Sequence, residues 1–386
     1  MYELRNYQKK ASDAAVAFFL NKNKKNNAIE VLPTGSGKSL IIADIAYKLD
    51  APVLIFQPSK EILEQNYSKM LSYGVLGVSI YSASAGHKNI SKITFATIGS
   101  AVNHPELFTK FEFIIIDECH FVNAQQGMYK EFIENLKCKV LGLTATPYRL
   151  YSNQFYGCML RFLTRTRPRI FSEVIYHVQI NELLQRGYLA NIEYYRMRII
   201  DPSHLKINST GADYTDRSVR EAYAKAHFAQ SLSGIVERLL AAGRTSILVF
   251  TRFIEEAEYL ARIMPGTTAV VSSHTDKKTR ERILFQFKSK KINIVANVGI
   301  LTTGFDYPEL DTIVIARPTM SLALWYQMVG REIRPFDGKR AWLVDLCGTY
   351  ERFGPVDKLT MQQTSNGVWA VFSGNKQLTN VFYNKR

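Results

Sequence analysis

Short apolar runs alternate with longer segments whose apolar residues recur every third or fourth position. In the first part of the chain the runs are AIEVLP, PVLIFQP, ITFAT, FEFIIID and KVLGLTA. SLIIADIAYKL and KEILEQNYSKML lie between them and carry the helical period. A second series follows: SILVFT, TAVVSS, INIVANV, TIVIARP and AWLVDL. Its helical segments are FIEEAEYLARIM, KTRERILFQFKSK and SLALWYQMVGREIR. Apolar runs bounded by polar turns suit strands covered on both faces. Strands alternating with helices predict a mostly parallel sheet, so the pattern implies an α/β fold built twice.

The two series divide the chain, and 386 residues suit two domains better than one. Residues 1–148 read as the first domain and 231–350 as the second. Residues 149–230 read as a connector in which NSTGADYTD is a turn-rich surface loop. Residues 351–386 form a tail without a clear period.

Composition narrows the class. The chain is 46% hydrophobic and 22% charged, the balance of a soluble globular protein. No apolar run approaches the ~20 residues that span a bilayer, so no membrane contact is expected. MYELRNYQKK lacks the apolar core of a signal peptide, which predicts a cytoplasmic protein. The four cysteines are isolated, which argues for free thiols and against a zinc knuckle or a disulfide framework.

The net charge of +15 favours a polyanionic partner, nucleic acid above all, although solubility alone also accounts for such an excess. From Asn135 to Ser172 there is no acid, but there are Lys137, Lys139, Arg149, Arg161, Arg165, Arg167 and Arg169. Tyr148, Tyr151, Phe155, Tyr156 and Phe162 interleave with them. The expectation is a basic connector with its aromatics packed inward; the alternative is a stacking surface for single strands.

PTGSGKS, Pro33–Ser39, follows a predicted strand and opens a predicted helix, the context of a phosphate-binding loop. Gly35 and Gly37 let backbone N–H groups turn toward phosphate oxygens, and the helix N-terminus adds its dipole. Lys38 would reach the β- and γ-phosphates and Ser39 would ligate Mg²⁺. The strict pattern has glycine at the position of Leu32. FIIIDECH places Asp117 and Glu118 at the end of an apolar strand. Asp117 would hold the metal and Glu118 would polarise the attacking water.

PTGSGKS, DECH, LTATPYR and QMVGREIR, in this order, resemble motifs I, II, III and VI of superfamily 2 helicases. LRNYQ resembles the Q motif, FQPSKEI motif Ia, FATIGS motif Ib, LVFTR motif IV and NVGILTTGFDYPELD motif V. Within the superfamily the chain is most similar to the RadD group of bacterial DNA repair helicases. It lacks the cysteine-rich zinc-binding tail of that group, which points to a minimal relative.

The resemblance implies two RecA-like domains with ATP in the cleft between them, and ATP and Mg²⁺ as cofactors. Arg5 and Gln8 would contact adenine, and Tyr7 would pack locally. Thr34, Gly35, Ser36, Gly37, Lys38 and Ser39 would bind the phosphates, with Gly304 and Asp306 approaching from the second domain. His120, Thr144 and Thr146 would couple the ATP site to the cleft. Ser59, Lys60, Thr97, Thr251 or Arg252, Thr302 and Thr303 would touch the nucleic-acid backbone. The implied activity is an ATP-dependent DNA helicase or translocase. An RNA helicase, the motor of a nuclease complex and a non-catalytic binding module on a decayed motor fold are the alternatives. The expected partner is single-stranded or branched DNA, bound by a monomer, with a single-strand binding protein as a further candidate.

YQMVGREIRP, Tyr326–Pro335, then acquires a meaning. On a helix bracketed by Pro318 and Pro335, Gln327, Arg331 and Arg334 would fall within an arc of roughly 60°. Leu322, Trp325, Val329 and Ile333 would face the opposite way and bury. Alone, that polar face is equally a phosphate patch or a solvated surface. Beside the resemblance it reads as a clamp across the cleft, with Gln327 orienting water or γ-phosphate and both arginines acting as fingers.

Overall fold

The computed structural model describes residues 3–136, 138–153, 155–301 and 305–383. Thr302, Thr303 and Gly304, expected in the site, lie outside the described residues, as does Lys137.

The first series forms β1 (Asn27–Val31), β2 (Val53–Phe56), β3 (Val78–Ser82), β4 (His87–Lys88), β5 (Ile93–Ala96), β6 (Phe113–Asp117) and β7 (Lys139–Thr144). The chain then makes an antiparallel hairpin, β8 (Tyr148–Asn153) and β9 (Gly157–Phe162), and returns as β10 (Phe171–His177). The sheet order is β10-β1-β7-β6-β2-β5-β3-β4, parallel throughout except at the β3–β4 edge.

The second sheet is wholly parallel. It contains β11 (Ile192–Arg196), β12 (Ile247–Thr251), β13 (Thr268–Val271), β14 (Ile294–Asn297), β15 (Thr312–Ala316) and β16 (Ala341–Asp345), in the order β11-β16-β15-β12-β14-β13. Both of its faces are covered. Leu248, Phe250, Val295, Ile313 and Ile315 enter one apolar core, and Ile247, Val249, Ala296, Val314 and Ala316 enter another. The alternation is the two-residue period of a strand with no solvent face. The first core also contains Trp325, Met328 and the interior of the first sheet, so one apolar body runs through the junction.

The structure departs from the sequence reading in four places. The connector is not a separate unit. Its residues supply β10 to the first sheet and β11 to the second, both as edge strands. The tail is ordered as β17 (Leu359–Gln363), β18 (Trp369–Ser373) and β19 (Lys376–Gln377), an antiparallel sheet. Its last strand, β20 (Phe382–Tyr383), pairs with β9 in the other half of the molecule. Within the basic stretch, Tyr148 and Phe162 are buried as expected, but Phe155 and Tyr156 are exposed.

The fourth departure concerns SLALWYQMVGREIR. The helix covers only Leu322–Val329, so Gln327, Arg331 and Arg334 do not share a helical face. Where the helix ends, Gly330 packs so close to the first domain that a Cβ on it would lie 2.8 Å from Thr34 Cβ. The buried Lys339 ammonium donates to the carbonyls of Glu332 and Arg334, groups that the turn leaves without helical partners. Trp325 is fully buried and donates to Gly354 O at 3.1 Å, whereas Trp342 is half-buried beneath Arg244.

Among the described residues no helix is long and apolar enough to cross a membrane. The cysteines form no disulfide. Cys119 packs where a Cβ on Gly142 of β7 would sit, 2.6 Å from its sulfur and 3.1 Å from the ring of Phe171. Gly142→Ala is therefore expected to lose about 1–3 kcal/mol through overpacking. Urea unfolding would read this as a lower midpoint at unchanged slope. An unchanged midpoint would show that Cys119 and Phe171 can yield.

Candidate active site

The parallel first sheet brings the C-terminal ends of its strands to one edge. The loop 33–37 leaves β1 there, β6 ends there in Asp117, and Thr144 closes β7. Gly35 and Gly37 take φ of 82° and 81°, a left-handed conformation that L-side chains rarely adopt. Gly37 is also sterically required, since a Cβ there would meet Gln8 Nε2 at 2.5 Å. The helix Lys38–Leu49 follows at once.

The N-terminal helix Asn6–Leu20 grips this loop. Gln8 Nε2 donates to Ser36 O at 2.8 Å, and Tyr7 Oη donates to the same carbonyl at 2.7 Å. Gln8 Oε1 accepts from Arg5 N, so both ends of the buried amide are committed within the protein. The amide keeps a second N–H and a second oxygen lone pair beyond these bonds, and Tyr7 shares its grip on the loop. Arg5 stacks 4.1 Å above the ring of Tyr188.

Lys38 Nζ lies 2.9 Å from Glu118 Oε1, and His120 Nδ1 lies 3.2 Å from Glu118 Oε2. Burial alone would raise the Glu118 carboxyl; Lys38 and His120 outweigh it and hold the group well below its ordinary range. Lys38 is held up in turn, because Glu118 and Asp117 outweigh its own desolvation. Asp117 behaves in the opposite way. Burial first, and the Glu118 charge second, push it up to about 7. Glu118 itself sits at φ 50°, a strained conformation for a residue with a side chain.

His120 Nδ1 also reaches Thr144 Oγ1 at 3.0 Å, and Thr144 Oγ1 accepts from Thr146 N. His120 Nε2 lies 3.3 Å from Gln327 Nε2 of the second domain. The contact joins the two halves. Arg331 and Arg334 line the same cavity of about 230 Å³ as Thr34, Lys38, Ser39, Asp117, Glu118 and Asp306. Arg331 Nη1 donates to Phe305 O at 2.8 Å, and Arg334 pairs with Asp306. Burial and the neighbouring Arg334 push Arg331 down to about 10.

The motif reading missed Asn66, which lies on the helix Lys60–Ser72. Its Oδ1 accepts from Ser39 Oγ at 2.7 Å, and its Nδ2 reaches Gln57 Oε1 at 3.0 Å and Asp117 Oδ2 at 3.4 Å. A polar residue on the buried face of an amphipathic helix was the available signal. Ser39, Asn66 and Asp117 form an oxygen-rich set that suits a hard divalent cation. Of the two acids at the site Asp117 is the less compensated, and a cation would offset its charge. Among the described residues no three His, Cys, Asp or Glu side chains cluster as a metal site on their own.

Residues 1–149 match the family model described as "Type III restriction enzyme, res subunit", and residues 231–335 match the "Helicase conserved C-terminal domain". A "51.5 kDa protein" of Lactococcus phage (isolate 7-9) is 27% identical, over 84% of this chain and 66% of its own. The "DNA 3'-5' translocase XPB2" of Sulfurisphaera tokodaii is 24% identical, over 89% of this chain and 81% of its own. These matches support a place in helicase superfamily 2. The solved structure of the "ATP-dependent Type ISP restriction-modification enzyme LlaBIII bound to DNA" shares the fold, with a TM-score of 0.63 and 17% identity over 90% of this chain. This chain spans just under two thirds of the phage relative, at 66%, and 28% of the LlaBIII chain.

The residues expected on the nucleic acid fare unequally in the two helicase domains. In the first, Ser59 caps the helix that starts at Lys60, accepting from Ile62 N at 3.4 Å. Lys60 Nζ donates to Ser84 O at 2.6 Å, and Thr97 Oγ1 lies 3.1 Å from Ser82 Oγ. All three are partly exposed. The second-domain pair is not available. Thr251 is fully buried, and Arg252 is spent on Asp213, Asp216, Tyr214 O and Pro318 O. Its guanidinium ties the turn-rich loop to the sheet.

The pH dependence of Asp117 has a definite sign. Its folded value lies above the ordinary ~3.9, so the protonated form stabilises the nucleotide-free protein in acid. This contribution is lost as pH rises through about 7. Without divalent cation, Asp117→Asn is expected to melt higher than the parent at pH 8, and the gap should close only as pH falls to about 4. A variant melting lower at pH 8 would show that Asp117 is compensated by other charges.

Proposed function

We propose that the chain is an ATP- and Mg²⁺-dependent helicase or translocase acting on DNA, similar to the RadD group and serving repair, recombination or replication. One observation carries the reading: Arg331 and Arg334 of the second domain line one cavity with Lys38, Asp117 and Glu118 of the first, and Gln327 reaches His120 beside it. A non-catalytic module would have no use for two arginines and two acids brought together across a junction.

In this reading the loop amides and Lys38 hold the β- and γ-phosphates. Ser39 and Asp117, oriented through Asn66, hold Mg²⁺, which supplies charge neutralisation on the phosphate oxygens. Arrival of the γ-phosphate draws Lys38 away from Glu118. The freed carboxylate accepts the proton of the attacking water as oxygen bonds to the γ-phosphorus and the β–γ bridge breaks toward ADP. Arg331 and Arg334 exchange Phe305 O and Asp306 for phosphate oxygens, which requires the second domain to close. His120 passes that movement between Glu118, Thr144 and Gln327. Ser59, Lys60 and Thr97 grip the DNA backbone without reading sequence.

DNA is favoured over RNA because DECH and LTATP differ from the DEAD and SAT forms of the commonest RNA helicases, and because the named archaeal relative is a DNA translocase. The match of residues 1–149 to a restriction subunit favours a second reading, the motor of a nuclease complex. Steady-state ATPase assays with DNA and RNA of several structures test both. Turnover should be stimulated by DNA more than by RNA. Lys38→Ala should abolish it, and Arg331→Ala or Arg334→Ala should lower kcat by about 10³ or more with DNA binding largely kept. If no nucleic acid stimulates turnover, the motor reading fails; if Lys38→Ala hydrolyses ATP normally, the site is misassigned.

A further inference from the structure

The hairpin β8–β9 has no part in the ATP site, although it begins directly after Pro147. Phe155 is 83% exposed and Tyr156 58%, which is unusual for large rings at a hairpin tip. Tyr156 lies 5.5 Å from Phe382 of β20, so the tail adds a third, partly exposed ring to the same patch. Further down the hairpin, the Arg161 guanidinium lies 3.3 Å over the ring of Tyr151. A cavity of about 60 Å³ beside it is lined by Arg149, Arg161 and Arg167, and no acid lines it. Arg165, Arg167 and Arg169 are exposed on the segment that follows.

We infer that this hairpin and the β20 strand form a stacking platform for unpaired bases of a single strand, with the arginines taking its phosphates. The chemistry is specific in two respects. Exposed aromatic faces can stack on any base, but a duplex keeps its base faces inside its own stack, so only unpaired bases can reach the rings. Positive charge without compensating acid along the same segment selects a polyanion over an apolar partner. The platform is also wired to the ATP site. Arg149 Nη1 donates to His120 O at 2.7 Å, and the hairpin is rooted in the backbone that carries Thr144 and Thr146. Movement of His120 on nucleotide binding would therefore be felt at the platform. This last step rests on the proposed motor function; the binding itself does not.

The test compares a labelled oligothymidylate with an abasic strand of equal length, by fluorescence anisotropy at one salt concentration. Phosphate contacts are the same for both strands, so only stacking separates them. The parent protein should prefer the strand with bases. Phe155→Ala/Tyr156→Ala should lose roughly 5-fold or more of that preference, while Phe155→Trp keeps it. The inference is overturned if the parent binds both strands equally, if the double variant keeps the preference, or if it weakens both strands alike. The last result would mark the rings as a protein-docking patch or a structural element. DNA-stimulated ATP turnover in the parent is a separate readout, so the platform can fail while the motor reading stands.

Discussion

A desolvated lysine stays charged only beside an opposite charge, and the Lys38–Glu118 ion pair meets that need at 2.9 Å. It links the loop after β1 to the end of β6. Glu118 reaches His120, His120 reaches Thr144 on β7 and Gln327 in the second domain, and the two halves thus share one charge network. The polar chain crosses the junction beside a core that is itself continuous through it. Apolar burial holds the halves together without direction; the hydrogen-bonded chain sets which residues face each other.

The same network divides two adjacent carboxylates into different roles. Glu118 lies against Lys38 and His120 and stays ionised, while Asp117 is buried with less compensation and rises to about 7. A cation beside Ser39 and Asn66 would reverse the second condition. The structure is therefore poised in charge as well as in shape: it holds more negative potential at Asp117 than its own groups satisfy. Arg331 and Arg334 wait on the opposite wall, tied to Phe305 and Asp306 by contacts that incoming phosphate could replace.

The connector and the tail give the two domains further ties. Ala190 N donates to Ile333 O at 2.8 Å, and Leu189 lies against Gly35, so the connector touches both the phosphate loop and the arginine turn. Gln179 exchanges two hydrogen bonds with Met361, and β20 completes the hairpin sheet of the opposite half. These contacts span large sequence separations and involve segments with mixed polarity.

Much of this was legible in the residues. Central strands such as FIIID and ILVFT are apolar on both faces, so short apolar runs bounded by polar turns identify them, and the α/β class follows. The glycines of PTGSGKS and the acids of DECH declare their chemistry because few other roles need those residues in that order. Edge strands β10 and β11 were missed, since FSEVIYH and IEYYR are half-exposed and carry no clear two-residue period. Asn66 shares the buried face of Leu63 and Met70, but no motif marks it. The helix through Arg331 and Arg334 had good local propensity, yet it stops at Val329, where Gly330 packs against Thr34 of the first domain. Arg252 read as a free base until Asp213 and Asp216 folded onto it. Local pattern determined which segments become strands and helices and which residues carry chemistry, because those depend on neighbours in the chain. Tertiary structure alone decided where the helix ends, which polar groups are spent on each other and which rings stay in water, because these depend on residues tens to hundreds of positions away.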